Sequence, residues 1–236
     1  MSLKYKRVLL KISGEALKGQ DIYDQEKVQD VARQIITLVR EGLQIGVVVG
    51  GGNIWRGNLS SNLGMDRING DYMGMMATIM NGLALEATIK SLGYEKVRVY
   101  SALEIKTVTT PYNYREARDK LNNGYILIFT GGTGFSYFTT DTGASIRAIE
   151  IKADALLMAK NGVKGVYDDD PRTNPKANFL KTLTHREVAE KKLRVMDLTS
   201  ATLSADAKLK IEVFDMNGEN NIIKMAHGDL DSTTIQ

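Results

Sequence analysis

The chain has 236 residues with no cysteine, a formal net charge of +3, 43% hydrophobic residues and 25% charged ones. These values suit an ordinary globular protein, one α/β domain or two small lobes, and they exclude disulfides, thiolate metal sites and thiol catalysis. The small positive excess offers no basic face for nucleic acid, the N-terminus carries no signal-peptide pattern, and no apolar run approaches membrane-spanning length; a cytoplasmic protein without nucleic-acid or membrane partners is expected.

In chain order, the apolar run at 8–12 reads as a short strand closed by Ser13 and Gly14. Over 24–42, Val28, Val31, Ile35 and Leu38 fall on one helix face, and Gly42 suits the position just past the helix end. A buried strand at 45–49 runs into Gly50, Gly51 and Gly52. The next helix is expected over 71–92, with Gly93 closing it and Asp71 as its N-cap or as an acceptor for ribose hydroxyls. Its seam of Met73, Met76, Met80 and Leu83 suits core or a subunit interface, and Gly74 and Gly82 would let another helix approach.

A strand at 97–100 follows, then a helix at 114–123 ending at Gly124, a strand at 125–129, a helix at 142–152 and a strand at 155–160. Thr184 and Glu187 have capping-box spacing. A helix at 201–209 precedes the last two expected strands, 210–216 and 221–225. Repeated alternation predicts an α/β fold, a three-layer αβα sandwich with a mostly parallel central sheet. Residues 1–236 read as a single domain, two lobes sharing one sheet.

No GxxxxGK[ST] or GxGxxG motif is present, and His185 and His227 sit in no metal or triad arrangement. The polar chemistry instead lies where strands end. Lys11, Ser13 and Gly14 follow the first strand. Gly50, Gly51 and Gly52 lead to Arg56, a nest of N–H groups beside a bidentate phosphate partner. Residues 131–141 follow the strand at 125–129, combining glycines, hydroxyls and the start of a helix, the combination an anion site needs. Lys160 and Asn161 lead to Tyr167 and the acidic turn ending at Asp170. Taken singly, Lys11 could be a surface lysine, the glycine runs mobile loops and the acidic turn a solvated one.

At these places the chain resembles the amino acid kinase superfamily, and within it the bacterial uridylate (UMP) kinases. The resemblance rests on KISGEAL at 11–17, VVVGGGNIWRG at 47–57, GDYMGMMATIMNGLAL at 70–85, TGGTGFSYFTTD at 130–141, GVYDDDP at 165–171 and VMDLTSATL at 195–203. It spans nearly the whole chain, and the helix after Asp71 separates this group from the acetylglutamate, carbamate and aspartate kinases. Phe135 and Ser136 stand where the family commonly has a polar residue and proline, and Lys164 where it has aspartate.

The resemblance implies transfer of the ATP γ-phosphoryl group to UMP, in pyrimidine nucleotide (CTP/UTP) biosynthesis. Lys11, Asp141 and Lys160 would form the catalytic centre, Asp141 orienting the lysines. ATP would meet Lys11, Ser13, Gly14, Gly52, Arg56, Asn161, Tyr167 and Asp170. UMP would meet Gly51, Arg56, Asp71, Thr133, Gly134, Phe135, Ser136, Tyr137, Phe138, Thr139 and Thr140. Mg²⁺ would arrive on ATP, with no protein metal site. A hexameric homo-oligomer activated by GTP and inhibited by UTP is also implied, and Gly19, Gln20, Asp21, Ile22, Tyr23, Asp24 and Arg98 are the candidate effector positions. Two other readings stay open: phosphorylation of a carboxylate or carbamate, and a non-catalytic nucleotide-binding protein.

Overall fold

A computed structural model of the chain describes residues 2–191, 193 and 195–236. The elements, in order, are β1 (Arg7–Ile12), a 3₁₀ turn (Gly14–Leu17), α1 (Gln25–Arg40), β2 (Gln44–Val49), α2 (Gly57–Asn62), α3 (Arg67–Ser91), β3 (Val97–Ser101) and β4 (Thr110–Pro111). Next come α4 (Tyr114–Asn122), β5 (Ile126–Thr130), α5 (Thr140–Glu150), β6 (Ala155–Lys160), β7 (Val166–Tyr167), β8 (Phe179–Leu180) and β9 (Thr182–Leu183). The chain closes with α6 (His185–Glu190), α7 (Leu198–Asp206), β10 (Ile211–Asp215), α8 (Asn221–His227) and β11 (Thr233–Ile235).

Among the described residues, nine strands form one sheet in the order β4-β3-β5-β2-β1-β6-β10-β11-β9. Every neighbouring pair is parallel except β10 with β11. Central strands of such a sheet are covered on both faces and so read as unbroken apolar runs. Val8, Leu10, Ile12, Val47 and Val49 point to the layer of α1, α3 and α8. Leu9, Val48, Leu127 and Leu156 point to the opposite core, which contains Ala144 and Ala148 of α5 and Ala117 and Leu121 of α4. Full burial of one such aliphatic side chain stabilises the fold by about 1.5–3 kcal/mol.

The expected sandwich is therefore the observed one, with local corrections. Helix α3 begins at Arg67, capped by Asp66, whose side chain accepts from Asn69 N–H. Asp71 therefore lies in the second turn and is not the cap. Helices α5 and α7 also start two to three residues before the expected positions, each capped by an upstream side chain, Thr139 and Asp197. The segment at 221–225 is helix α8, not a strand: Ile222, Met225 and Ala226 are its buried apolar residues, an i, i+3, i+4 set. The strand that follows β10 is β11, too short at three residues to stand out by composition.

The glycines of α3 also serve a different contact from the one expected. A Cβ on Gly82 would lie 2.4 Å from Thr130 Cγ2 and 3.3 Å from Ile128 Cγ2, so this glycine lets α3 ride directly on β5 rather than on another helix. On the other side of the helix, Met76 and Met80 are exposed.

Candidate active site

The strand-exit loops picked out from sequence leave four consecutive strands, β5, β2, β1 and β6, at their carboxyl ends. Side-by-side parallel strands bring their C-terminal loops into one crevice, the usual ligand position in such sheets. Lys11, the penultimate residue of β1, reaches into it. Its Nζ lies 2.7 Å from Asp141 Oδ1, and both side chains are mostly withdrawn from solvent, at 12% and 17% exposure. That oxygen is buried without an aligned hydrogen bond, so the contact is an ion pair rather than a directed bond.

Lys160 ends β6 and donates from Nζ to the Val195 carbonyl at 2.7 Å. Burial pushes its ammonium pKa below the ordinary lysine value; the Asp141 carboxylate opposes that shift and the Lys11 charge adds to it. Lys11 and Asp141 thus form an ion pair, and Lys160, held by the Val195 carbonyl, feels the charges of both. A carboxylate already paired with an ammonium group suits a divalent cation poorly, and no cluster of three or more metal-ligating side chains occurs among the described residues.

Gly14 places the exits of β1 and β2 in close contact. A Cβ there would meet Asn53 Oδ1 at 2.4 Å and the Gly50 carbonyl at 2.5 Å. Gly50 N–H is not available to a ligand, because it donates to the Ile12 carbonyl at 3.0 Å. The expected nest is accordingly reduced to Gly51 and Gly52. Ser13 is occupied in capping the short 3₁₀ turn, accepting from Glu15 N–H. Arg56 is close by but already paired: its guanidinium contacts Glu15 and donates from Nε to the Gly52 carbonyl at 3.1 Å.

On the β5 side, Gly131, Gly132 and Gly134 all have positive φ, so the tight GGTG turn relies on residues without a side chain. Thr133 Oγ1 accepts from Phe135 N–H, while the Phe135, Tyr137 and Phe138 rings stand exposed. Asp71 meets this loop directly: its Oδ2 accepts from Tyr137 N–H at 2.7 Å. Arg67 adds to the same contact, with Nε 3.6 Å from Asp71 and its guanidinium 4.3 Å from the centre of the Tyr137 ring. Of the residues expected to meet UMP, the structure joins Asp71 directly to the 131–141 loop, whereas Arg56 is paired elsewhere. Thr139 caps α5, and Thr140 is the first residue of that helix.

On the opposite flank, beside β6, a cavity of about 680 Å³ is lined in part by Lys160, Tyr167, Asp170, Leu193, Val195 and Val213. The Tyr167 ring sits edge-on to Phe179 at 5.5 Å, on the short β7–β8 pair. The neighbouring acids serve their own turn. Hydrogen bonds from Asn178 hold the Asp168 carboxyl below its usual range, and those from Asn174 and Asp170 N–H do the same for Asp169. Asn161 does not line this cavity. It borders a separate hollow of about 730 Å³ together with Glu15 and Asn217.

Two connections carry no obvious sequence signal. Asp197 caps α7 and also accepts from the Thr139 and Thr142 hydroxyls, so one carboxylate joins the N-termini of α5 and α7. Thr78 of α3 accepts from Gly131 N–H at 2.9 Å, fixing the start of the acceptor loop. The candidate effector positions are not gathered in one place. Asp24 caps α1 and the Ile22 carbonyl accepts from Asn53, whereas Arg98 is exposed on β3.

Residues 6–215 match the amino acid kinase family. The chain is 66% identical to uridylate kinase of Mesoplasma florum and 63% identical to that of Mycoplasma capricolum, each match spanning 100% of both chains. The chain belongs to the uridylate kinase branch of the amino acid kinase family. The crystal structure of UMP kinase from Ureaplasma parvum superimposes with a TM-score of 0.94 at 38% identity, covering 99% of this chain and 100% of the other. Uridylate kinase from Archaeoglobus fulgidus superimposes at 0.73 with 26% identity, over 97% of this chain and 99% of its own. This kinase family assignment agrees with a crevice that places Lys11 and Lys160 at its centre and a cavity beside β6.

Proposed function

We propose that this chain is a UMP kinase, transferring the γ-phosphoryl group of ATP to UMP to give UDP and ADP, a step in pyrimidine nucleotide biosynthesis. The observation that carries the reading is the Lys11–Asp141–Lys160 unit lying between the Asp71-anchored loop and the cavity beside β6. In the N-terminal lobe, Asp71 would hold the ribose of UMP, residues 133–140 the base and phosphate, and Gly51 and Arg56 the phosphate. In the C-terminal lobe, Tyr167 and Asp170 would border the adenosine, with Asn161 at the rim; Ser13, Gly14 and Gly52 would face the ATP phosphates.

A UMP phosphate oxygen attacks the γ-phosphorus, the bond to the β–γ bridging oxygen breaks, and ADP leaves. The acceptor is a nucleophile near neutral pH, so no strong general base is required, and catalysis is positioning plus neutralisation of charge. Lys11 and Lys160 supply that neutralisation, and Asp141 keeps two ammonium groups close together. Mg²⁺ would travel on ATP phosphates and water; the donor set around Asp141 does not suit it, and no step is assigned to it.

The exposed Met76 and Met80 of α3 support assembly into a homo-oligomer, a hexamer by family resemblance. GTP activation, UTP inhibition and a cytoplasmic location belong to the same reading. Among the described residues, no helix is long and apolar enough to cross a membrane. The test is ADP release from ATP with UMP, CMP, dTMP, carbamate and acetylglutamate, with and without GTP. Turnover with UMP well above the others is the expected result. Faster turnover with a carboxylate or carbamate, or nucleotide binding without turnover, would refute it.

A further inference from the structure

Asn81 lies in the middle of α3 with 0% exposure, among apolar neighbours. Asparagine is a poor helix former, and a buried amide without partners is strongly unfavourable, so its hydrogen bonds must justify its position. They do so completely. Asn81 Nδ2 donates to the Gly50 carbonyl at 2.7 Å and to Asn53 Oδ1 at 2.8 Å. Asn53 Nδ2 donates back to Asn81 Oδ1 at 3.1 Å and to the Ile22 carbonyl at 3.0 Å. The two amides form a reciprocal pair whose remaining N–H groups each hold a backbone carbonyl.

The Gly50 carbonyl is the important end of this network. A trans peptide is planar, so its C=O and N–H point in opposite directions. Fixing the Gly50 oxygen toward α3 therefore fixes the Gly51 N–H away from α3. Glycine on both sides of that peptide would otherwise let the plane rotate with little steric resistance. Gly51 N–H has no partner among the described residues, and a Cβ at Gly51 would lie 2.9 Å from the Gly74 carbonyl, so the loop is pressed against the helix that holds it.

We propose that Asn81 is a positioning residue for the acceptor phosphate, locking the Gly50–Gly51 peptide plane so that Gly51 N–H is aimed at the phosphate before it arrives. The proposal rests on the reading of Gly51 as part of the UMP site. Asn53 completes the pair and extends it to the 18–24 loop, but its own contact does not set the peptide plane.

The test uses calorimetric affinity for two probes, UMP and uridine, which differ only in the phosphate. Asn81→Ala should weaken UMP about tenfold or more, the scale of a hydrogen bond to a charged group, and uridine less than about twofold. Asn81→Asp keeps the volume and an acceptor oxygen but lacks the amide donors, and should behave alike if the alanine variant does not fold. Asn53→Ala, which leaves the Asn81–Gly50 contact in place, should retain most of the preference for UMP. Equal loss of UMP and uridine in the Asn81 variants, or an unchanged preference, overturns the proposal. Equal affinity for UMP and uridine in the unmodified protein overturns the acceptor-site reading with it.

Discussion

Replacing Asp141 by asparagine tests the catalytic centre most directly, because it removes one charge and almost no volume. The Lys11–Asp141 contact of 2.7 Å lies between side chains that are mostly out of solvent. At an effective dielectric of about 20, opposite charges some 4 Å apart attract by about 4 kcal/mol gross, and removing one partner of a buried pair typically costs about 3–5 kcal/mol. Here the loss leaves two lysines facing each other. Lys160 can relieve part of it by releasing its proton, since burial and Lys11 already lower its pKa and Asp141 is the group opposing them. A transition-state deficit of about 2–4 kcal/mol remains, equivalent to roughly a 30- to 1,000-fold fall in kcat. The pH profile adds a second readout. Activity that needs protonated Lys160 is lost as pH rises through its pKa, so the basic limb of kcat should move to lower pH in Asp141→Asn. A kcat within threefold of the parent, with an unmoved basic limb, would refute the two-cation, one-anion account.

Lys160→Met should abolish activity yet raise or preserve Tm, read by calorimetry. A lysine whose folded pKa is depressed costs stability in full below that pKa, and the cost is relieved as pH rises from there toward the ordinary lysine value, so the gain should be largest at neutral and acid pH. Glu212→Ala should destabilise the fold by about 3–5 kcal/mol in urea unfolding, because it strips the acceptor from Lys4, Tyr5, Ser232 and Thr234. Burial alone would raise the Glu212 pKa, but the Lys4 and Tyr5 hydrogen bonds and the Lys4 charge bring it below the ordinary value. Its contribution is therefore present above about pH 4.5 and lost as pH falls through the folded pKa, and the parent and variant stability curves should converge in acid. Gly14→Ala should cost about 1–3 kcal/mol and raise KM for UMP, since the new Cβ meets a loop carbonyl at 2.5 Å. Glu15→Gln frees Arg56 and should lower KM for UMP by about two- to fivefold, the range of an exposed ion pair, with KM for ATP little changed.

The layers and the crevice were legible because they follow from local pattern. Unbroken apolar runs ended by glycine marked β1, β2, β5 and β6, and adjacency of parallel strands did the rest. The errors arose where a short segment carried two meanings. Residues 221–225 are rich enough in isoleucine to suggest a strand, yet their buried positions are spaced for a helix, and β11 was too brief to compete for the assignment. Asp71 opens the expected helix and so suits a cap as well as a ribose acceptor, but Asp66 starts the helix one turn earlier. The roles of Asp197, Thr78 and Asn81 depend on partners 31 to 58 residues away, and no local spacing reports such contacts.

The loop at 131–141 carries Phe135 and Ser136 where the resemblance implies a polar residue and proline, and its shape is held by contacts with α3. Tyr137 adopts a left-handed conformation, φ 69°, which costs a non-glycine residue on the order of 1–2 kcal/mol. Its N–H is bound by the Asp71 carboxylate, a charge-assisted hydrogen bond contributing about 1.5–3 kcal/mol, and its ring lies under the Arg67 guanidinium. The turn is thus held from outside, by α3, where proline would stiffen it from within. In the proposed site Asp71 would therefore have two tasks at one carboxylate: Oδ2 shapes the loop, while Oδ1, which accepts no hydrogen bond among the described residues, would be left for a ribose hydroxyl. On that proposal the geometry of the loop and the recognition of the sugar would be coupled through a single side chain, and the start of α3 would belong to the acceptor site as well as support it.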